Sequence, residues 1–395
     1  MTQPTDTHIT GCPITVLGGG IGGLTAALAL RQRGACVRVL EQAEAITEVG
    51  AGIQVSPNGL RVLDALGLGA AFRAASVRGR AVSLRDYRAG REVTRLDLTR
   101  LPEGQDYRFV HRADLIDLLA GATRDAGVKI RLLQKGAAVT PGTPAALTLA
   151  NGDHITDQLI VGADGLHSVV RPALNGPAAP AFTGQVAWRA VVPNAMDHPD
   201  EVRVHMGPGR HMVSYPLRGG KFINIVAAEE RRTWTAEGWS HRDDPDALRK
   251  AFAAFGGQVP EMLGDVADPG VWGLFRHPVA KVWHGAGLVL LGDAAHPTLP
   301  FLAQGANMAM EDAWVLADCL ARTAGQAQAL AAYQARRHAR VVRAVDTASG
   351  NAWKYHLRNP LIRGVAHLGL TAMGRLAPDR LLHQFDWLYA HDVTA

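Results

Sequence analysis

The chain has 395 residues, 47% of them hydrophobic and 19% charged, enough to bury a large core and long enough for two structural domains. Hydrophobic stretches are broken by Gly, Arg or Asp before about 20 residues, so no membrane span is expected, and the polar residues 1–11 lack an apolar signal core. The net charge of +5 does not by itself point to nucleic acid. Arg336, Arg340 and Arg343 fall on one helical face, read as solvated, with no aromatic-interleaved basic platform, and a small anionic ligand would suffice to reward the positive field. Cys12, Cys36 and Cys319 are too few and too scattered for a disulfide framework or a metal site, so no metal and a reducing cytoplasm are expected.

In chain order, residues 16–41 read as strand, glycine turn, helix, second strand and terminal acid, the pattern of a dinucleotide cradle. Gly18 can take the tight turn, Gly20 lets the backbone approach a pyrophosphate, and Gly23 lets the helix pack closely on the strand. The helix N-terminus offers unpaired N–H groups to the phosphates. Glu41 lies about 20 residues on, where a carboxylate can accept from ribose hydroxyls. A glycine-rich turn before an ordinary helix is the plainer reading. The apolar strand 14–17, the stop at Gly34 and the placement of Glu41 weigh against it.

Residues 81–97 read as paired strands crossing away from this unit. The chain returns with a helix over 113–126, a strand over 128–132 and a hairpin at Asn151-Gly152. Two segments then follow apolar strands: Val161-Gly162-Ala163-Asp164-Gly165, leading to Ser168 and Arg171, and Leu290-Leu291-Gly292-Asp293-Ala294. Taken singly, each Asp could cap an ordinary turn. Between them, residues 183–275 alternate polar and apolar positions around Pro-Gly and Gly-Gly turns and read as an antiparallel sheet. Residues from 287 rejoin the first unit, and 306–321 open a helical C-terminal region. The expected fold is an α/β Rossmann-like domain (12–80, 107–180 and 277–350) with crossing strands over 81–106, an inserted antiparallel substrate domain over 181–276, and C-terminal helices over 351–395.

The cradle, the Asp164-Gly165 segment and the Gly292–Ala313 stretch, in this order, together with Gly50-Ala51-Gly52-Ile53-Gln54, Pro57-Asn58 and His111-Arg112-Ala113-Asp114-Leu115, resemble the single-component FAD-dependent aromatic hydroxylases over nearly the whole chain. Ala187-Trp188-Arg189-Ala190, Arg210-His211-Met212-Val213-Ser214-Tyr215 and Ala303-Gln304-Gly305-Ala306 look most like the salicylate, 3-hydroxybenzoate and 6-hydroxynicotinate hydroxylase branch. The resemblance implies bound FAD, contacted by Gly18, Gly20, Gly23, Glu41, Gln42, Gly52, Gln54, Arg112, Leu132, Asp164, Asp293, Pro300, Gly305, Ala306 and Asn307. It implies NADH or NADPH as co-substrate, with a lean to NADH; no second glycine fingerprint is present, which suits a nicotinamide visiting a surface groove. It further implies O₂ as reactant, a flavin C4a-hydroperoxide as hydroxylating species, and a small, anionic aromatic substrate. A monomer or homodimer is expected.

Bottom-up, Gln304-Gly305-Ala306-Asn307 opens a helix after the loop 297–300, and such an N-terminus would favour the negative N1–C2=O edge of a reduced flavin. Gly50-Ala51-Gly52 would let the opposite wall approach the ring. His211, Val213 and Tyr215 alternate on one strand and so share a face, a wall for an aromatic ring. His211 can accept a phenol proton near neutral pH, directly or through Tyr215. On their own these two are more often packing and hydrogen-bonding residues; the resemblance makes His211, Tyr215 and Gln304 the catalytic candidates. Trp188, Phe301 and Leu302 could line the pocket or the core. One position departs from the hydroxynicotinate pattern: Gln54 stands where those members carry a histidine, and it cannot titrate, which favours benzoate-like substrates. The alternatives are an FAD reductase or oxidase on another ring compound, and a flavin-binding protein without catalysis.

Overall fold

The strand Pro13–Leu17 runs buried from Ile14 onward and occupies the middle of a six-stranded sheet. In spatial order the strands are His284–Gly285, Leu288–Leu290, Leu159–Gly162, Pro13–Leu17, Cys36–Leu40 and Lys129–Arg131, all parallel except the first pair. This computed structural model describes residues 7–46, 51–232 and 241–395. Gly18 turns the chain at φ +108°, and a Cβ there would lie 2.3 Å from the Ala163 carbonyl oxygen. A Cβ on Gly23 would lie 2.0 Å from the Gly18 carbonyl oxygen, so glycine sets how closely the helix Ile21–Gln32 approaches the strand before it.

The second large sheet has seven strands in the order Gly270–Arg276, Ala181–Pro193, Phe222–Glu230, Arg210–Leu217, Glu201–Gly207, Ala81–Asp86 and Glu92–Asp97. It is antiparallel as the alternation suggests, with one exception: Glu201–Gly207 pairs in parallel with Ala81–Asp86, Glu201 opposite Ala81 and Met206 opposite Asp86. That pairing joins segments more than a hundred residues apart, the long crossover that a parallel pair requires. One face of the sheet packs on the helices Pro245–Ala251 and Val259–Gly264 around Trp188, Met212, Ile225, Phe252 and Phe255. Trp188 is therefore core and not pocket wall; its indole N–H donates to Asp243 Oδ2 at 2.7 Å.

A three-stranded sheet of Gly52–Val55, Arg108–His111 and Val77–Arg78 packs on the seven-stranded one, with the Phe109 and Tyr215 ring centres 5.2 Å apart. The Asn151-Gly152 hairpin pairs Ala145–Leu149 with His154–Asp157, with Gly152 at φ +89°. The C-terminal region comprises Gly305–Arg322, Gln326–Tyr355, Pro360–Leu376, Pro378–His383 and Asp386–Tyr389. The 30-residue helix Gln326–Tyr355 runs unbroken across positions 350 and 351, so no break in the backbone separates the C-terminal helices there. The arginine face read as solvated is exposed at Arg336 and Arg343 and largely covered at Arg340, and all three have partners. Arg336 donates to Asp318 Oδ2 (2.8 Å), Arg340 to both oxygens of Glu311 (2.8 Å each), and the Arg343 guanidinium lies 4.0 Å from the Trp387 ring centre. Among the described residues no helix is long and apolar enough to cross a membrane.

Candidate active site

The free face of the seven-stranded sheet and the carboxyl ends of the parallel strands enclose one cleft of about 1030 Å³. At its cradle end stand Gly18, Gly20, Glu41 and Gln42. Gly20 caps the helix Ile21–Gln32 with no side-chain hydrogen bond, and a Cβ built on it meets nothing within 4 Å. The first-turn N–H groups thus face open space that a diphosphate could fill. Glu41 follows the neighbouring strand directly, and its Oε2 accepts from the Gly19 N–H at 2.6 Å while Oε1 accepts from the Ala43 N–H at 2.9 Å. The carboxylate anchors the glycine turn as well as facing the cleft. Gly23 does not line the cleft; its part is the helix contact. Leu132 does not line it either, because the strand ends at Arg131, and Gln134, Lys135 and Gly136 reach the cleft in its place.

Asp164 and Asp293 open into the middle of the cleft. Asp164 Oδ2 accepts from the Val169 N–H at 2.8 Å, while Oδ1 is buried without a partner, and desolvation pushes the carboxyl above its usual range. Asp293 sits on the turn Gly292–Ala294; desolvation raises its carboxyl too, against the opposing pull of His296 and Arg112. Arg112 begins the helix Arg112–Asp125 and lines the same space. An orphaned carboxylate oxygen, a bare helix N-terminus and a cradle that a Cβ would fill are what a flavin dinucleotide with hydroxyl donors and a diphosphate requires. The residues present fit FAD.

The loop after Asp293 passes through Pro300–Leu302 to Ala303 at φ +53°, and then to the helix Gly305–Arg322. Pro300, Gly305 and Ala306 line the cleft. Gln304 also borders it, yet its side chain is bound: Nε2 donates to Ser56 Oγ at 2.9 Å, and Oε1 accepts from Asn58 at 3.2 Å. Asn307 is buried outside the cleft, donating to the Ala303 carbonyl at 2.8 Å and the Gln54 carbonyl at 3.1 Å and accepting from the Ser56 N–H at 3.1 Å. Both residues hold the loop's shape, including the left-handed Ala303, rather than presenting a free group.

On the sheet side His211, Val213 and Tyr215 do share the face that lines the cleft, joined by Arg189, Trp272, Phe301 and Leu302. The Arg189 guanidinium lies 4.2 Å from the Trp272 ring centre. His211 and Tyr215 serve different partners. His211 Nδ1 is 2.7 Å from His356 Nε2, and desolvation, with His356 beside it, holds His211 well below the usual histidine range. Burial raises the Tyr215 phenol against the opposing pull of Arg189 and Gln54, and the Gln54 side chain accepts from Tyr107 at 2.8 Å. Gly52 serves this wall, not the flavin alone: a Cβ there would lie 2.6 Å from Tyr215 Cε2 and 2.9 Å from Asn224 Cγ, and its N–H donates to Asn224 Oδ1 at 2.6 Å. Gly50 lies outside the described residues.

The sequence reading passed over the ionic cluster beneath the Asp293 turn. Fully buried Arg337 pairs with Glu311, and its Nε donates to Asp312 Oδ1 at 2.7 Å. Asp312 Oδ2 accepts from the Gly292 N–H at 3.1 Å and lies 2.5 Å from His296 Nε2. Burial pushes Asp312 up, but His296 and Arg337 prevail and hold it at about 2. Arg171 adds donors to the Ala294 and Ala295 carbonyls at 3.1 and 3.0 Å. The available signal was Glu311-Asp312 inside the apolar run Met308–Ala317, since adjacent buried acids require cations on a facing element.

The profile of the FAD binding domain family matches residues 11–348. The chain is 37% identical to 3-amino-4-hydroxybenzoate 2-monooxygenase of Streptomyces cremeus over 87% of its own length and 88% of that protein's. It is 35% identical to 3-hydroxybenzoate 6-hydroxylase 1 of Aquipseudomonas alcaligenes over 96% and 98% respectively. Among solved structures, Klebsiella pneumoniae HpxO complexed with FAD and uric acid superposes with a TM-score of 0.83 at 26% identity, covering 97% of this chain and 99% of that one.

Proposed function

Because the chain belongs to the FAD-binding-domain family of flavoprotein aromatic hydroxylases, we propose that it hydroxylates a small, anionic aromatic acid bearing a phenol, consuming NAD(P)H, with a lean to NADH, and O₂. The observation that carries this reading is that His211, Val213 and Tyr215 close the same cleft that Gly20, Asp164 and Asp293 open. Bound FAD supplies hydride acceptance from the nicotinamide and activation of oxygen. The residues of the chain do the rest. Gly20 and its helix receive the diphosphate, while Asp164 and Asp293 accept from hydroxyls. Tyr215, Val213 and Phe301 hold the ring, and the Arg189 guanidinium offers a charge for the carboxylate. His211 takes the phenol proton; because burial and His356 lower its basicity, it must pass a proton on as it takes one.

Benzoate-like substrates are favoured because Gln54 offers no titratable group for a hydroxypyridine. A cytoplasmic monomer or homodimer completes the reading. The test is a screen of NADH and NADPH oxidation over hydroxybenzoates, aminohydroxybenzoates and hydroxypyridine acids, with product and peroxide measured. Hydroxylated product from a benzoate supports the reading; NAD(P)H oxidation with no oxygen inserted into any of them overturns it in favour of a reductase or oxidase.

A further inference from the structure

His211 is buried, so a proton it takes from a substrate must leave through the protein. A hydrogen-bonded chain starts at the cleft wall. It does not run by way of Tyr215, whose neighbour Gln54 accepts from Tyr107 at 2.8 Å, because an amide has no titratable group to hand a proton on. His211 leads elsewhere: its Nδ1 is 2.7 Å from His356 Nε2, His356 Nδ1 is 3.0 Å from Glu230 Oε1, and Glu230 is held by Arg358 Nη2 at 2.5 Å. His356 is buried, whereas the Glu230 side chain is 33% exposed. The chain therefore spans from the cleft to solvent in three groups, each able to accept on one atom and donate from another.

We infer that His356 and Glu230 form the proton exit for the substrate phenol, acting through His211 as positioning and relay residues. The inference rests on the proposed hydroxylase reading. The phenol O–H bond breaks onto His211 Nε2, the Nδ1 proton of His211 passes to His356 Nε2, and the Nδ1 proton of His356 passes to Glu230 Oε1 and then to water. No electrons change hands, and both imidazoles end neutral with their tautomers exchanged. Arg358 and Arg210 face His356 along with Glu230, so the pair is poised between one carboxylate and two cations. Phe301 and Tyr355 cover His211 with ring centres at 5.1 and 5.3 Å, which excludes water from the first transfer.

The experiment uses FAD-loaded protein and the chromogenic phenol 3-hydroxy-4-nitrobenzoate, whose phenolate absorbs in the visible. The complex is formed at pH 5.5 and jumped to pH 8 in a stopped-flow instrument. The wild type is expected to ionise the bound probe quickly. His356→Gln and Glu230→Gln, which keep hydrogen-bonding side chains, are expected to slow ionisation by at least about tenfold with unchanged probe affinity and FAD content. Added imidazole is expected to restore the rate in His356→Gly, a rescue that a merely structural role would not allow. Wild-type rates in both glutamine variants overturn the relay and leave the hydroxylase reading standing. A wild type that binds but never ionises the probe overturns the relay together with the role of His211 as base.

Discussion

Replacing Gly20 with valine separates the fold from the flavin. Gly20 has φ −76° and ψ −176°, extended backbone that valine adopts without strain, and its Cβ would meet no protein atom within 4 Å. The apoprotein should thus be as stable as wild type, or gain the roughly 0.4 to 1 kcal/mol that a stiffer unfolded chain gives. The isopropyl group instead occupies the space before the helix N-terminus. Denying the diphosphate two charge-assisted N–H bonds, each worth about 1.5 to 3 kcal/mol, should weaken FAD by about 3 to 6 kcal/mol, or roughly 10² to 10⁴ in Kd. The assay is fluorescence titration of apoprotein with FAD beside urea unfolding of the apoprotein. Gly18→Val is the contrast, because its φ of +108° and the Ala163 oxygen at 2.3 Å should disrupt the apoprotein itself. Wild-type FAD affinity in soluble Gly20→Val would refute the placement of the diphosphate.

Asp293→Ala should weaken FAD by about 1.5 to 3 kcal/mol if its carboxylate accepts a buried hydroxyl; an unchanged titration midpoint would leave it a turn residue. His211→Ala and Tyr215→Phe should retain FAD and lower hydroxylation by roughly 10² to 10⁴, read as product per NAD(P)H consumed with peroxide making up the difference; full coupling at wild-type rate would make this face structural. Asp312 is held at about 2 against 3.8 in the unfolded chain, so its contribution of roughly 2 kcal/mol is present above pH 4 and lost as pH falls toward 2. Urea unfolding between pH 5 and 2.5 should show wild type losing more stability than Asp312→Asn, and parallel acid limbs would refute the pairing.

The cradle was legible because its glycines answer to backbone sterics that any reader of Gly18 and Gly23 can apply. The alternation that places His211, Val213 and Tyr215 on one face was legible for a similar reason, since strand geometry leaves no other arrangement. What sequence could not supply was partnership at long range. Nothing local tells that Gly52 makes room for Tyr215, that Gln304 is spent on Ser56 and Asn58, or that Trp188 faces the helices of its own sheet. The parallel pairing of Glu201–Gly207 with Ala81–Asp86 was hidden because both strands alternate equally well in either direction. Arg340 was misread because helical spacing defines a face without saying what covers it.

The helix Gln326–Tyr355 holds Arg337 and Arg340 near its middle, beneath the Asp293 turn, and delivers Tyr355 and His356 at its end, against His211. At 1.5 Å per residue, Arg340 and His356 stand about 24 Å apart on one rod. That rod works as a gauge block between the two ends of the cleft. Inserting or deleting one residue in its second half would swing His356 by about 100° around the axis while leaving the Arg337 cluster untouched. The two ends cannot drift independently through length changes here, and recombination between relatives should succeed only where this helix is inherited whole.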